Sequence, residues 1–134
     1  MSNFSYEIGS DNIAIIKWDV PDKKFNVLTL EGISEIEHIL EKIFENNNLK
    51  GVIISSNKDD FSAGMDLKVL AHLQDQSKNK EEIFQFVMRA HQFLRKIELG
   101  GIDPKTKKGG IPFVWACNGL SAGIATEIGL ACHY

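Results

Sequence analysis

Two stretches of the chain are built to one plan. In the first, the apolar run "GVIISSN" (51–57) is followed by a short link, Ser62-Ala63-Gly64-Met65, and then "DLKVLAHL". In the second, "PFVWACN" (112–118) is followed by a short link, Ser121-Ala122-Gly123-Ile124, and then "ATEIGLA". A continuous apolar run bounded by polar and small residues fits a strand buried in an α/β sheet. Each run leads through a small-residue turn into a helical pattern. Strands alternating with helices predict an α/β fold.

The rest of the chain agrees with that prediction. "FSYEI" (4–8) and "IAIIKWDV" (13–20) flank the turn signal "GSDN" and read as a hairpin. Pro21 and "DKK" end the second run, and Thr29 is placed to cap a helix. Leu30, Ile33, Ile36, Leu40, Ile43 and Phe44 recur at spacings of three and four, so an amphipathic helix is expected up to "NNN" (46–48). Ile83, Phe86, Val87, Ala90, Leu94 and Ile97 mark a second long helix. "DQSKNKEE" (75–82) reads as a polar loop. "GGIDPKTKKGG" (100–110) is basic and flanked by glycines; it either touches a phosphate or is a solvated linker.

At 134 residues the chain suggests one domain, spanning residues 1–134, with enough length to bury a core. A net charge of −3 argues against a nucleic-acid partner. No apolar run approaches a membrane span, and "MSNFSYEIGSDNIAI" lacks the basic-then-apolar order of a signal peptide. Cys117 and Cys132 lie in apolar stretches without metal-ligand spacing. They are expected to be buried free thiols of a cytoplasmic protein, and no metal site is expected.

The repeated turns carry the chemistry. Small residues let a ligand approach the backbone closely. The first N–H groups of a helix lack internal partners and lie at its positive end. Two such ends facing each other would place two donors on one oxyanion; the alternative is a pair of ordinary strand-to-helix turns. Glu127 follows Ile124 by three residues, about one helical turn. Its apolar flanks leave two settings open, an exposed helix face or an apolar pocket. In the pocket its pKa would rise and suit it to general acid/base work.

These residues resemble the crotonase family of enoyl-CoA hydratases and isomerases. "FSAGMDLKVL" is similar to the family's S-A-G-x-D-[IL]-K motif. "IPFVWACNGLSAGIATEIGLACHY" is similar to its P-x-[IV]-A-x-[IV]-N-G-x-A-x-G-G-G-x-E motif and the residues beyond. "WDVPDKKFNVLT" is similar to its first CoA-side segment, and looks closest to the amino-terminal part of multifunctional fatty-acid oxidation α subunits. The resemblance implies an α/β spiral of ββα units, incomplete here at the C-terminal end. It implies an acyl-CoA substrate whose thioester oxygen is held by the backbone amides of Met65 and Ile124. It places CoA along Lys24, Phe25, Val27, Ala63 and Asp66, and matches Glu127 to the first of two catalytic glutamates. No separate cofactor is implied; NAD would enter only with a following dehydrogenase domain. The expected partners are acyl-CoA and either further copies of the chain or a larger oxidation complex.

The chain departs from the family at two points. Gly123-Ile124-Ala125 replaces a triple glycine, and the chain stops before the second glutamate would occur. The expected function is therefore the hydratase/isomerase part of a β-oxidation enzyme, with this chain alone weak or inactive. The alternative is a binding or interaction fragment of the same fold. An unrelated nucleotide-binding domain would require a glycine-rich phosphate loop after the first strand, and none is present.

Overall fold

A computed structural model describes residues 1–75 and 79–134. Strands β1 (Phe4–Ile8) and β2 (Ile13–Trp18) form the expected hairpin, which turns at Asn12 with φ of 63°. Helix α1 (Leu30–Glu45) begins where Thr29 Oγ1 accepts the Gly32 N–H at 2.9 Å. Strand β3 (Gly51–Ser56) leads to helix α2 (Leu67–Asp75), and helix α3 (Lys80–Leu99) follows. Strand β4 (Phe113–Ala116) leads to helix α4 (Ile124–Ala131). The polar linker expected over 75–82 lies partly outside the described residues. Of its ends, Asp75 closes α2, Asn79 caps α3 and residues 80–82 are already helical.

The strands form one sheet in the order β1-β2-β3-β4, with β1 antiparallel to β2 and the other pairs parallel. The register aligns Ile16 with Ile54 and Ile54 with Trp115. One face of this sheet carries the core. Ala14, Ile16, Trp18, Val52, Ile54 and Phe113 are buried, together with Ile36, Leu40 and Ile43 of α1 and Phe93 and Ile97 of α3. These apolar periods explain why the helices fold onto the sheet rather than standing alone. Trp18 stacks on Phe4 at 4.9 Å and meets Phe61 edge-on; Phe61 meets Trp115 edge-on at 5.6 Å. Arg89 of α3 grips Glu37 of α1 through Nε (2.9 Å) and Nη2 (2.5 Å), which fixes α3 against α1.

A second layer of pairing arises from the links. After β2 the chain passes through Leu28 before α1, after β3 through Ser62 and Met65 before α2, and after β4 through Ser121 before α4. Leu28 bridges Met65, and Ser62 bridges Ser121, both in parallel. Each unit thus reads strand, short bridge, helix, the ββα order expected from the sequence. Strand β4 is shorter than the apolar run "PFVWACN" (112–118): Pro112, Cys117 and Asn118 lie outside it, and Ala116 is exposed. No helix among the described residues is long and apolar enough to cross a membrane.

Candidate active site

The loops that leave the carboxyl ends of β2, β3 and β4 meet at one end of the sheet, where open α/β sheets bind ligands. They are stitched together by hydrogen bonds. Asn118 Nδ2 donates to the carbonyls of Lys58 (2.5 Å) and Asp59 (3.0 Å), and the Leu120 N–H donates to Asp60 Oδ1 at 2.7 Å. The basic loop 100–110 lies at the opposite end, before β4. Its Asp103 Oδ1 accepts the N–H groups of Lys105 and Thr106, closing a local turn away from the site.

The two repeated turns lie against each other. Gly64 has φ of +96°, and a Cβ there would meet the Ala122 carbonyl oxygen at 2.9 Å; Gly123 has φ of +54° and lies opposite the Gly64 Cα. Only glycine combines this backbone conformation with so close an approach. The Ser62 N–H donates to Leu120 O, and the Ala122 N–H donates to Ser62 O, each at 3.1 Å. The residue after each glycine is left with an unused donor. Among the described residues, neither the Met65 nor the Ile124 N–H donates to a protein acceptor. Both residues line a small apolar cavity with Leu28, Phe86 and Phe93. Both also line a groove of about 570 Å³ between α3 and α4, and Glu127 lies in its wall.

Glu127 is exposed, so of its two settings the structure gives the solvated helix face, at the groove's edge. Glu98 and His91 of α3 also border this groove, although Glu98 is engaged with Arg95 at 2.6 Å. The spacing of 91, 94 and 98 on α3 was the signal that places them on one face.

The five positions matched to CoA fall along one strip. Ala63 N–H donates to Asn26 O (2.9 Å), Leu28 N–H to Gly64 O (2.8 Å) and Asp66 N–H to Leu28 O (3.0 Å), so residues 24–28 run beside 63–66. Lys24 is exposed, with Nζ 5.2 Å from the centre of the half-buried Phe25 ring. Val27 is half-buried and Ala63 exposed. Asp66 is different. Its buried carboxylate pairs with Lys23 and accepts the Lys68 N–H at 2.8 Å, while its carbonyl accepts the Val69 and Leu70 N–H groups in the first turn of α2. The Lys23 hydrogen bond, and then the Lys68 N–H, hold its pKa below the usual carboxylate value. Asp66 therefore anchors the start of α2.

The sequence reading gave no role to Asn26, which is fully buried at the centre of the three loops. Its signals were the Asn-x-Leu of "WDVPDKKFNVLT" and a lone amide between apolar residues in "KFNVL". The cysteine expectation is corrected for Cys117, which is exposed just beyond the β4 edge; Cys132 is half-buried, and burial pushes its thiol up to about 11.

The sequence matches the model of a family described as enoyl-CoA hydratase/isomerase over residues 9–133. The fold is similar to the crystal structure of an enoyl-CoA hydratase from Bacillus anthracis (25% identity, TM-score 0.75, covering 99% of this chain and 46% of that one). It is also similar to enoyl-CoA hydratases from Shewanella pealeana (20% identity, TM-score 0.80, 98% and 44%) and Thermoplasma volcanium (19%, 0.78, 99% and 47%). The chain thus spans about half the length of the solved structures it matches.

Proposed function

Because the chain belongs to the enoyl-CoA hydratase/isomerase family, we propose that its paired turns bind the thioester oxygen of an acyl-CoA and polarise it for hydration of the 2,3 double bond. One observation carries this reading: Met65 and Ile124, whose backbone N–H groups donate to no protein acceptor among the described residues, line the same cavity and the same groove. As water adds at C3, electron density moves through C2 onto the thioester oxygen. Donors already aimed at that oxygen stabilise it without reorganising. The resulting enolate takes a proton at C2. Glu127, at the groove wall, is the group we assign to proton transfer with the attacking water. The strip formed by Lys24, Phe25, Val27 and Ala63 would hold CoA, with Asp66 shaping it through Lys23 and α2.

The likeness of "WDVPDKKFNVLT" to fatty-acid oxidation α subunits supports a place in cytoplasmic β-oxidation. In that setting the chain would work with isomerase activity beside the hydratase and within an oligomer or multifunctional complex. A second reading, binding without turnover, is favoured by the exposure of Glu127 and by the pairing of Glu98 with Arg95. The test is hydration of crotonyl-CoA by this chain and by a chain extended to the length of the solved relatives. The proposal expects turnover by the extended chain and little by residues 1–134 alone. Glu127→Gln should lower turnover of the extended chain about 10²-fold or more, with CoA affinity nearly unchanged. Unaltered turnover in that variant would remove Glu127 from the mechanism. Binding by the extended chain without turnover would leave the second reading.

A further inference from the structure

We propose that Asn26 and Ser62 are positioning residues, a buried polar pair that sets the separation of the Met65 and Ile124 amides. Both are 0% exposed. Asn26 commits both polar atoms of its side chain to the site loops. Its Oδ1 accepts the Val20 N–H at 2.9 Å, and its Nδ2 lies 2.9 Å from Trp18 O, 2.9 Å from Ser56 Oγ and 3.1 Å from Phe61 O. The loops after β2 and β3 are thereby fixed to each other through one side chain. Its backbone carbonyl then accepts both the Ala63 N–H and the Ser62 hydroxyl, each at 2.9 Å.

Ser62 carries the connection onward. Its Oγ accepts the Gly64 N–H at 3.1 Å, which fixes the residue before the first free amide. Its backbone N–H and C=O pair with Leu120 O and the Ala122 N–H, which fixes the residues before the second. A continuous buried relay therefore runs from Asn26 through Ser62 to both turns. Buried polar groups in such a relay are costly to leave unpaired, so the relay has one arrangement in which all are satisfied. Neither side chain lines the groove, so their effect on bound thioester runs through the two amides alone. This role for the pair rests on the oxyanion reading above.

The experiment uses residues 1–134 as they stand. Amide resonances are compared among the unaltered chain, Ser62→Ala, Asn26→Asp and a control core change on α1, Ile39→Val. The pair predicts that both site variants move the Ile124 resonance and speed hydrogen exchange at Ala122, while the control moves neither. A folded Ser62→Ala chain with Ile124 unmoved overturns the proposal. Should neither variant fold, exchange in the unaltered chain decides: the Asn26 side-chain amide, Ala63 N–H and Ala122 N–H should open together, and independent opening of Ala122 refutes the relay. The carbonyl stretch of bound crotonyl-CoA is read separately. A lowered stretch in the unaltered chain, partly lost in Ser62→Ala, supports both readings. An unshifted stretch in the unaltered chain counts against the oxyanion reading and leaves the relay to the exchange result.

Discussion

The two Ser-Ala-Gly turns share a sequence plan but are held very differently. The first is anchored from behind by Asn26, from within by Ser62 and from ahead by Asp66 at the start of α2. The second has no side-chain cap at Gly123. It is held by the 3.2 Å pair of Ser121 and Thr126 hydroxyls, by bonds from Asn118 and the Leu120 N–H to the loop after β3, and by backbone bonds to Ser62. Leu120 and Leu130 around it are exposed, whereas Phe61 beside the first turn is fully buried. The comparison teaches that a repeated motif need not be a repeated structure. The first turn is held by buried side chains of its own and of the preceding loop, and the second by the loop after β3 and by the Ile124 and Ala125 that follow it into the core.

The largest expected effect breaks that asymmetry at its source. Asn26→Ala removes the partner of the Val20 N–H and of the Phe61 carbonyl in the interior, and should destabilise the chain by about 3–5 kcal/mol. Ser121→Ala, the matching change on the second turn, should cost less than about 1 kcal/mol. Chemical denaturation of both variants measures the difference. Equal losses would mean that the second turn is as firmly held as the first.

A smaller effect is expected at the glycines. Gly64→Ala combines a left-handed φ with a Cβ pressed on the Ala122 carbonyl, and should cost more than the ~1–2 kcal/mol of the backbone alone. At Gly123 the added Cβ meets only the Gly64 Cα, at 4.0 Å, so Gly123→Ala should cost the backbone part and little else. Thermal melts that rank the two in the opposite order would show that the turns do not touch in this way.

The fold was legible because its signals are periodic. Leu30 to Phe44 and Ile83 to Ile97 carry helical spacing long enough to outweigh local noise, and "GVIISS" has the apolar continuity of an inner strand. The paired turns were legible because glycine after small residues marks a backbone that must come close to something. Asn26 was not legible, since its partners at positions 18, 20, 56 and 61 to 63 come together only through the tertiary fold. The settings of Asp66 and Glu127 were not legible for a related reason. A motif names the residue type, but the ion pair with Lys23 and the exposure of Glu127 depend on neighbours far away in sequence. The end of β4 failed locally: "WAC" is apolar enough for a strand, yet the chain leaves the sheet at Ala116.

The smallest effect is a pH dependence of the first turn. The Lys23 partner and the Lys68 N–H lower the folded pKa of Asp66 below its unfolded value. Its contribution to stability is therefore present above the ordinary carboxylate range and is lost as pH falls through the lower, folded value. Asp66→Asn should flatten the acid limb of the stability profile and change little near neutrality beyond the loss of the Lys23 pair. No matching change is expected from Thr126→Val on the second turn. An acid limb unaltered in Asp66→Asn would assign it to other carboxylates.

The central claim, that the Met65 and Ile124 amides act as one pair of donors, is tested most directly by titrating an acyl-CoA thioester into the labelled chain while following every backbone amide. The account predicts that the Met65 and Ile124 N–H resonances move downfield together, along one binding curve. Saturable binding that shifts only one of them, or neither, would contradict it.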